Sequence, residues 1–166
     1  LLDLYTIYRE RRGLDGLTIA IIGELDRGRT ARSLAYLLSK FDRVKLYFVS
    51  PQELQMKSDI LQDLDAHNIW YSLESDMNAV IGSVDVIYLT QIRPGSMANV
   101  QTRVQYSINS EVMKLMKPNA MIMHPLPRTI ELDKTVDEDP RALYFRQATN
   151  GLYVRMAILT MLLDRD

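Results

Sequence analysis

The spacing of apolar residues along the chain changes repeatedly, and each change predicts an element. Leu1, Leu4, Tyr5 and Tyr8 fall on one helical face, residues 9–12 finish that helix, and Gly13 suits its C-terminal cap. Residues 17–23 are apolar apart from Thr18 and read as a strand buried on both faces. Ala31, Leu34, Ala35, Leu38 and Phe41 return to helical spacing, and 44–49 is a second strand. At Ser50-Pro51-Gln52-Glu53 a serine cap, a proline at the first helical position and a glutamate three residues on predict a capping box. The helix it opens reaches about Ala66, with a break near Lys57-Ser58. A short edge strand at 69–71, a brief helix capped by Ser75, a buried strand at 84–89, a helix at 110–116 and a last strand at 120–123 follow. Residues 140–148 and 151–163 read as two further helices.

Strands alternating with helices imply a parallel sheet. The expected fold is α/β: a doubly wound, Rossmann-like three-layer α/β/α domain over residues 1–166, with four to five parallel strands in the order 3-2-1-4-5. In that order the chain reverses direction between the first and fourth strands, and ligands of such sheets bind beyond the carboxyl ends of the strands at the reversal. Three segments should therefore converge: 23–30, 90–95 and 124–128.

The first segment, Gly23-Glu24-Leu25-Asp26-Arg27-Gly28-Arg29-Thr30, joins two glycines to a helix start, where backbone N–H groups favour an anion. Arg29 adds a planar fork matched to a carboxylate or phosphate. The spacing also mimics a phosphate loop with arginine for lysine, although Glu24 and Asp26 would oppose a triphosphate. An ordinary β–α turn with a solvated arginine is the plainer alternative. In the second segment Gln91 and Arg93 share parity, so a strand continuing past Leu89 would put amide and cation on one face, able with Arg29 to clamp a small dicarboxylate. A solvated loop is the plainer reading there. In His124-Pro125-Leu126-Pro127-Arg128 the prolines remove two donors, leaving carbonyls for a ligand's N–H groups. A cis bond before Pro127 fits the preference of cis peptides for proline, and His124 is expected to orient the loop rather than carry protons.

Composition narrows the choice. A net charge of −1 and the lack of a basic run give no footprint for nucleic acid. The sequence has no cysteine and 2 histidines, which removes disulfides, thiolate chemistry and histidine-rich metal sites, and which fits a cytoplasmic, reducing setting. Residues 152–163 are apolar except Arg155 and Thr160, so this helix needs cover. It is shorter than the ~20 residues a membrane span requires, and no membrane partner is expected. Leu1, Leu4, Tyr5 and Tyr8 pose the same need at the other end; either the terminal helices cover each other or another domain does so.

Taken in order, Gly23-Glu24, Gly28-Arg29-Thr30, Thr90, His124-Pro125-Leu126-Pro127-Arg128, Tyr144-Phe145-Arg146-Gln147-Ala148 and Asn150-Gly151-Leu152-Tyr153-Val154-Arg155 resemble the aspartate-binding, C-terminal domain of aspartate carbamoyltransferases, over essentially the whole chain. The related ornithine enzymes carry cysteine where this chain has Pro125. The resemblance implies transfer of a carbamoyl group from carbamoyl phosphate to L-aspartate in pyrimidine biosynthesis, without cofactor or metal, by a homotrimer. It implies that Arg29 grips an aspartate carboxylate and that the Leu126 and Pro127 carbonyls hold the carbamoyl amide and orient the amine; Thr30, Gln91 and Arg93 are the further candidate substrate-binding residues. Positioning and charge stabilisation would drive the reaction.

Two departures stand out. The family pattern after the fourth strand is Thr-Arg-x-Gln, whereas this chain reads Thr90-Gln91-Ile92-Arg93, and the loop that follows is shorter. Losing one charged hydrogen bond to a carboxylate costs about 1.5–3 kcal/mol, roughly ten- to hundredfold in affinity. Ile130 also stands where the family carries an acidic residue. The family's phosphate-binding Ser-Thr-Arg-Thr-Arg motif, which belongs to an N-terminal carbamoyl-phosphate domain, is absent from the sequence. The expectation is an aspartate-binding half that is inactive alone, with a non-catalytic carbamoyltransferase-like binding or scaffold domain as the alternative.

Overall fold

A computed structural model describes residues 1–93, 95–96 and 99–163. Five strands form one parallel sheet: β1 (Thr18–Ile22), β2 (Lys45–Val49), β3 (Trp70–Glu74), β4 (Val86–Leu89) and β5 (Met121–Met123). Their spatial order is β3-β2-β1-β4-β5, as the apolar runs predict. The helices are α1 (Leu2–Arg11), α2 (Arg29–Leu38), α3 (Ser58–Ala66), α4 (Met77–Ile81), α5 (Val100–Gln105), α6 (Ser110–Met113) and α7 (Tyr144–Leu163).

Why the sheet is covered on both faces is visible in β1. Side chains alternate across a strand. Ile19 and Ile21 pack with Leu34, Leu38 and Leu64 of α2 and α3, whereas Ala20 and Ile22 pack with Val80, Ile81 and Met113 of α4 and α6. Both sets are buried, so the run carries no polar alternation, and the architecture is three-layer α/β/α.

Four expectations are corrected. The capping box does not start a helix: Ser50 Oγ finds no partner, and Gln52–Leu54 is a single 3-10 turn. The Leu54 carbonyl of that turn accepts the N–H groups of Leu25 and Asp26, both at 2.9 Å, which ties it to the loop after β1. The helix proper begins at Ser58, where the break was expected. The strand before the second segment ends at Leu89, so Gln91 and Arg93 do not share a strand face. The two C-terminal helices are one, α7, of 20 residues. Finally, the polar stretch before residue 106 contains α5, capped by Asn99, whose side chain accepts the Thr102 N–H at 2.8 Å.

The terminal helices meet along their inner halves. Asn150 accepts from Arg9 at 2.9 Å and donates to the Thr6 hydroxyl at 3.1 Å. Their outer faces stay open. Leu1, Leu4, Tyr5, Tyr8, Tyr153 and Met161 line an apolar groove of about 580 Å³, and Leu152, Leu159 and Leu163 are exposed beside it. Among the described residues no helix is long and apolar enough to cross a membrane.

Candidate functional site

The loops after β1, β4 and β5 leave the same edge of the sheet, because all three strands run parallel. Only β4 lies between β1 and β5. At a spacing of about 4.8 Å per strand, the bases of the two outer loops are roughly 10 Å apart, a span suited to an amino acid. Closeness of the first two loops depends on Gly23, at φ 121°: a Cβ there would sit 2.2 Å from the Thr90 carbonyl oxygen. Thr90 in turn donates both its N–H, at 2.7 Å, and its hydroxyl, at 3.0 Å, to the Ile22 carbonyl.

Arg29 is the first residue of α2 and Thr30 the second; both are exposed at its N-terminal end, next to Gly28. Glu24, five residues before Arg29, is buried, with 4% exposure. It occupies the loop in which a triphosphate would have to lie on the phosphate-loop reading.

The proline loop is held from within. The Leu126–Pro127 bond is cis and Leu126 has φ 46°. The Leu126 N–H donates to His124 Nδ1 at 2.9 Å, which leaves the ring proton on Nε2, 3.0 Å from Glu131 Oε1. Glu131 also accepts the Thr129 N–H at 2.7 Å and the Thr129 hydroxyl. Burial pushes the Glu131 carboxyl up, but His124 and Thr129 outweigh it and bring the group down to about 2. The His124 N–H donates to Gln147 Oε1 at 2.9 Å, while Gln147 Nε2 donates to Asp3 of α1 at 2.6 Å. With the Leu126 N–H occupied and no N–H on Pro127, the two carbonyl oxygens are what this main chain offers. Neither has a hydrogen-bond partner among the described residues. Arg128 is engaged elsewhere, in a bidentate pair with Asp137.

The second segment divides its polar groups. Gln91 donates its amide to the Thr129 hydroxyl at 3.1 Å and so reaches the proline loop. Arg93 turns the other way and pairs with Glu24. Beside that pair lies an open cavity of about 400 Å³ lined by Asp26, Arg27, Glu53 and Ser96. Pro94, also in the expected segment, lies outside the described residues.

The loops that carry Arg29, Thr30, Gln91, Leu126 and Pro127 leave one edge of the sheet, as the strand order predicts, whereas the carboxylates behind them were not foreseen. Nothing in the sequence distinguishes Glu24 and Glu131 from solvated acids: Glu24 meets Arg93 across 69 positions, and Glu131 meets His124 only because the loop folds back.

The chain is a doubly wound α/β domain, a class in which ligands generally bind beyond the strand ends at the switch point. The chain belongs to the aspartate/ornithine carbamoyltransferase family, whose Asp/Orn binding domain matches residues 15–162. It is 49% identical, over an alignment of 168 positions, to aspartate carbamoyltransferase 1, chloroplastic, of Pisum sativum, covering 98% of this chain and 44% of that protein. It is 44% identical to the aspartate carbamoyltransferase catalytic subunit of Methanocaldococcus jannaschii, covering 99% and 54%. Its structure matches the M. jannaschii catalytic subunit with a TM-score of 0.92 at 41% identity, covering 99% and 56%. Trypanosoma cruzi aspartate transcarbamoylase in complex with aspartate and phosphate matches with a TM-score of 0.88 at 38% identity, covering 95% and 52%. The chain therefore spans about half the length of the relatives it matches.

Proposed function

We propose that this chain supplies the L-aspartate site of an aspartate carbamoyltransferase, the enzyme that moves the carbamoyl group of carbamoyl phosphate onto the amino group of aspartate in pyrimidine biosynthesis. The observation that carries the proposal is the convergence of Arg29 and the open Leu126 and Pro127 carbonyls on the carboxyl edge of one parallel sheet, with only β4 between their strands. Arg29, with the Thr30 hydroxyl at the same helix start, would grip a carboxylate. The Gln91 amide would donate to the ligand from the middle loop, with Arg93 behind it. The two carbonyls would accept from the amine and from the carbamoyl amide, holding the nitrogen lone pair toward the carbonyl carbon.

Carbamoyl phosphate would bind through a separate domain, so the chain alone would bind aspartate without turning it over. The complete enzyme would be a homotrimer. A cytoplasmic location is proposed from the cysteine-free composition; the Pisum sativum relative is named chloroplastic.

Calorimetric titration with L-aspartate, succinate and ATP tests the ligand. Dicarboxylate binding that Arg29→Ala weakens by roughly ten- to hundredfold, with no ATP response, is the expected result. Mixing or joining the chain with a carbamoyl-phosphate domain should then yield carbamoyl aspartate. A folded assembly that makes none would identify a binding or scaffold domain instead.

A further inference from the structure

We propose that Glu24 is a positioning residue for this crevice: it holds Arg93, and through Arg93 the segment that presents Gln91. The inference rests on the dicarboxylate reading above.

Glu24 grips one residue in two ways. Its Oε2 accepts the main-chain N–H of Arg93 at 3.1 Å, and its two oxygens accept Arg93 Nε at 3.1 and 3.2 Å. Nη2 of Arg93 also donates to Oε1. Backbone and guanidinium plane are thereby fixed together, by the bidentate geometry that arginine makes with carboxylates. The pair is unequal. The Glu24 side chain is 5% exposed and that of Arg93 59%, so the carboxylate is the rooted partner and the arginine the element drawn onto it. Among the described residues Arg93 is the hydrogen-bond partner of the Glu24 carboxylate, and without it a buried charge would stand uncompensated.

The hold extends to the ligand side. Ile92, between the two polar residues, is buried, and its carbonyl accepts Arg103 Nε at 2.9 Å. Gln91 then reaches Thr129, which is bound to Glu131, which is bound to His124 beneath Leu126. Side-chain bonds joined through the 91–93 main chain thus run from the β1 loop by way of the β4 segment to the proline loop. Glu24 is the fixed end of this line. Neither Glu24 nor Arg93 has to touch the ligand for the line to set where Gln91 stands.

Succinate binding by the chain, measured calorimetrically alongside thermal melting, tests this with Glu24→Gln, Arg93→Gln and the double variant. Each single change should weaken binding about tenfold, the scale of one charged hydrogen bond. The double variant should be no weaker than the worse single, because both act through one bond. Losses that multiply to about a hundredfold would mean two independent contacts with the ligand and would overturn the proposal. So would succinate affinity unchanged in Arg93→Gln, a variant at an exposed side chain that decides the question even if Glu24→Gln fails to fold. A lowered melting temperature with intact affinity in Glu24→Gln would reduce the pair to a stabilising contact and refute positioning. Succinate binding that responds to Arg29→Ala but to neither of these variants defeats this inference alone. No succinate binding by the unaltered chain defeats the dicarboxylate reading and this one with it.

Discussion

The Leu126 N–H donates to Nδ1 of His124, two residues earlier, and so the imidazole serves the main chain as an acceptor. The opposite nitrogen must then carry the proton toward Glu131, and the ring is locked at 1% side-chain exposure between loop and carboxylate. His124→Leu removes both bonds, leaving the Leu126 N–H without a partner and the buried Glu131 carboxylate with Thr129 alone. The expected cost is about 3 kcal/mol of stability, on the order of 10 °C in melting temperature for a domain of this size. Calorimetric melting checks the size. Succinate titration below the transition should show weakened binding, because the loop carrying the two carbonyls has lost its support.

Acid should undo the same assembly in a defined window. The Glu131 carboxyl is lowered from 4.5 to about 2 in the folded chain. A depressed folded value means that the stabilisation is complete above the unfolded value and disappears as pH falls through the folded one. Between pH 4.5 and about 2 the chain should lose on the order of 3 kcal/mol from this group. Asp137, held down to about 2 chiefly by Arg128, adds to the loss in the same range. Denaturant midpoints measured across that range should fall more gently in Glu131→Gln, which cannot titrate. Parallel slopes would refute the assignment.

Gly23 should tolerate no side chain. The nearest atom to a Cβ there is the Thr90 backbone oxygen, and at φ 121° an L residue is strained whatever the space. Gly23→Ala is expected to cost about 3 kcal/mol or more and to separate β1 from β4 at the crevice. Urea unfolding gives the number. Loss of succinate binding by protein that remains folded would show that the separation reaches the site.

The open groove between α1 and α7 predicts concentration-dependent association. Leu152, Leu159 and Leu163 present 59, 58 and 78% of their surface, and exposed apolar patches of this kind seek cover. Sedimentation velocity should show growing species as concentration rises. Leu152→Glu/Leu159→Glu should return the chain to a single slow boundary, with stability changed by less than about 0.5 kcal/mol, as is usual for exposed positions.

Strand order was legible because β1, β4 and β5 are apolar runs buried on both faces, and such runs differ plainly from the helical spacing around them. Helix ends were not. Asn150-Gly151 reads as a stop signal, yet α7 passes straight through it. There Asn150 is buried against Thr6 and Arg9, and a Cβ at Gly151 would stand 3.3 Å from Leu2 Cδ2. The pair marks where α1 crosses, a tertiary fact that a local pattern cannot carry. Ser50-Pro51 misleads for a similar reason: the turn it opens is bound to the loop after β1 rather than continued as a helix. At the site, the ligand-facing groups were legible from their place beyond the strands. Their supports were not, because an acid's burial depends on which distant cation or imidazole folds against it.

One side chain, Gln147, joins the first helix to the start of the proline loop: its oxygen receives the His124 amide while its nitrogen is tied to Asp3. A swing of α1 toward or away from the sheet would therefore tug directly on the turn that carries Leu126. A body docking on the outer face of that helix would acquire leverage over the height of two carbonyls without coming near them.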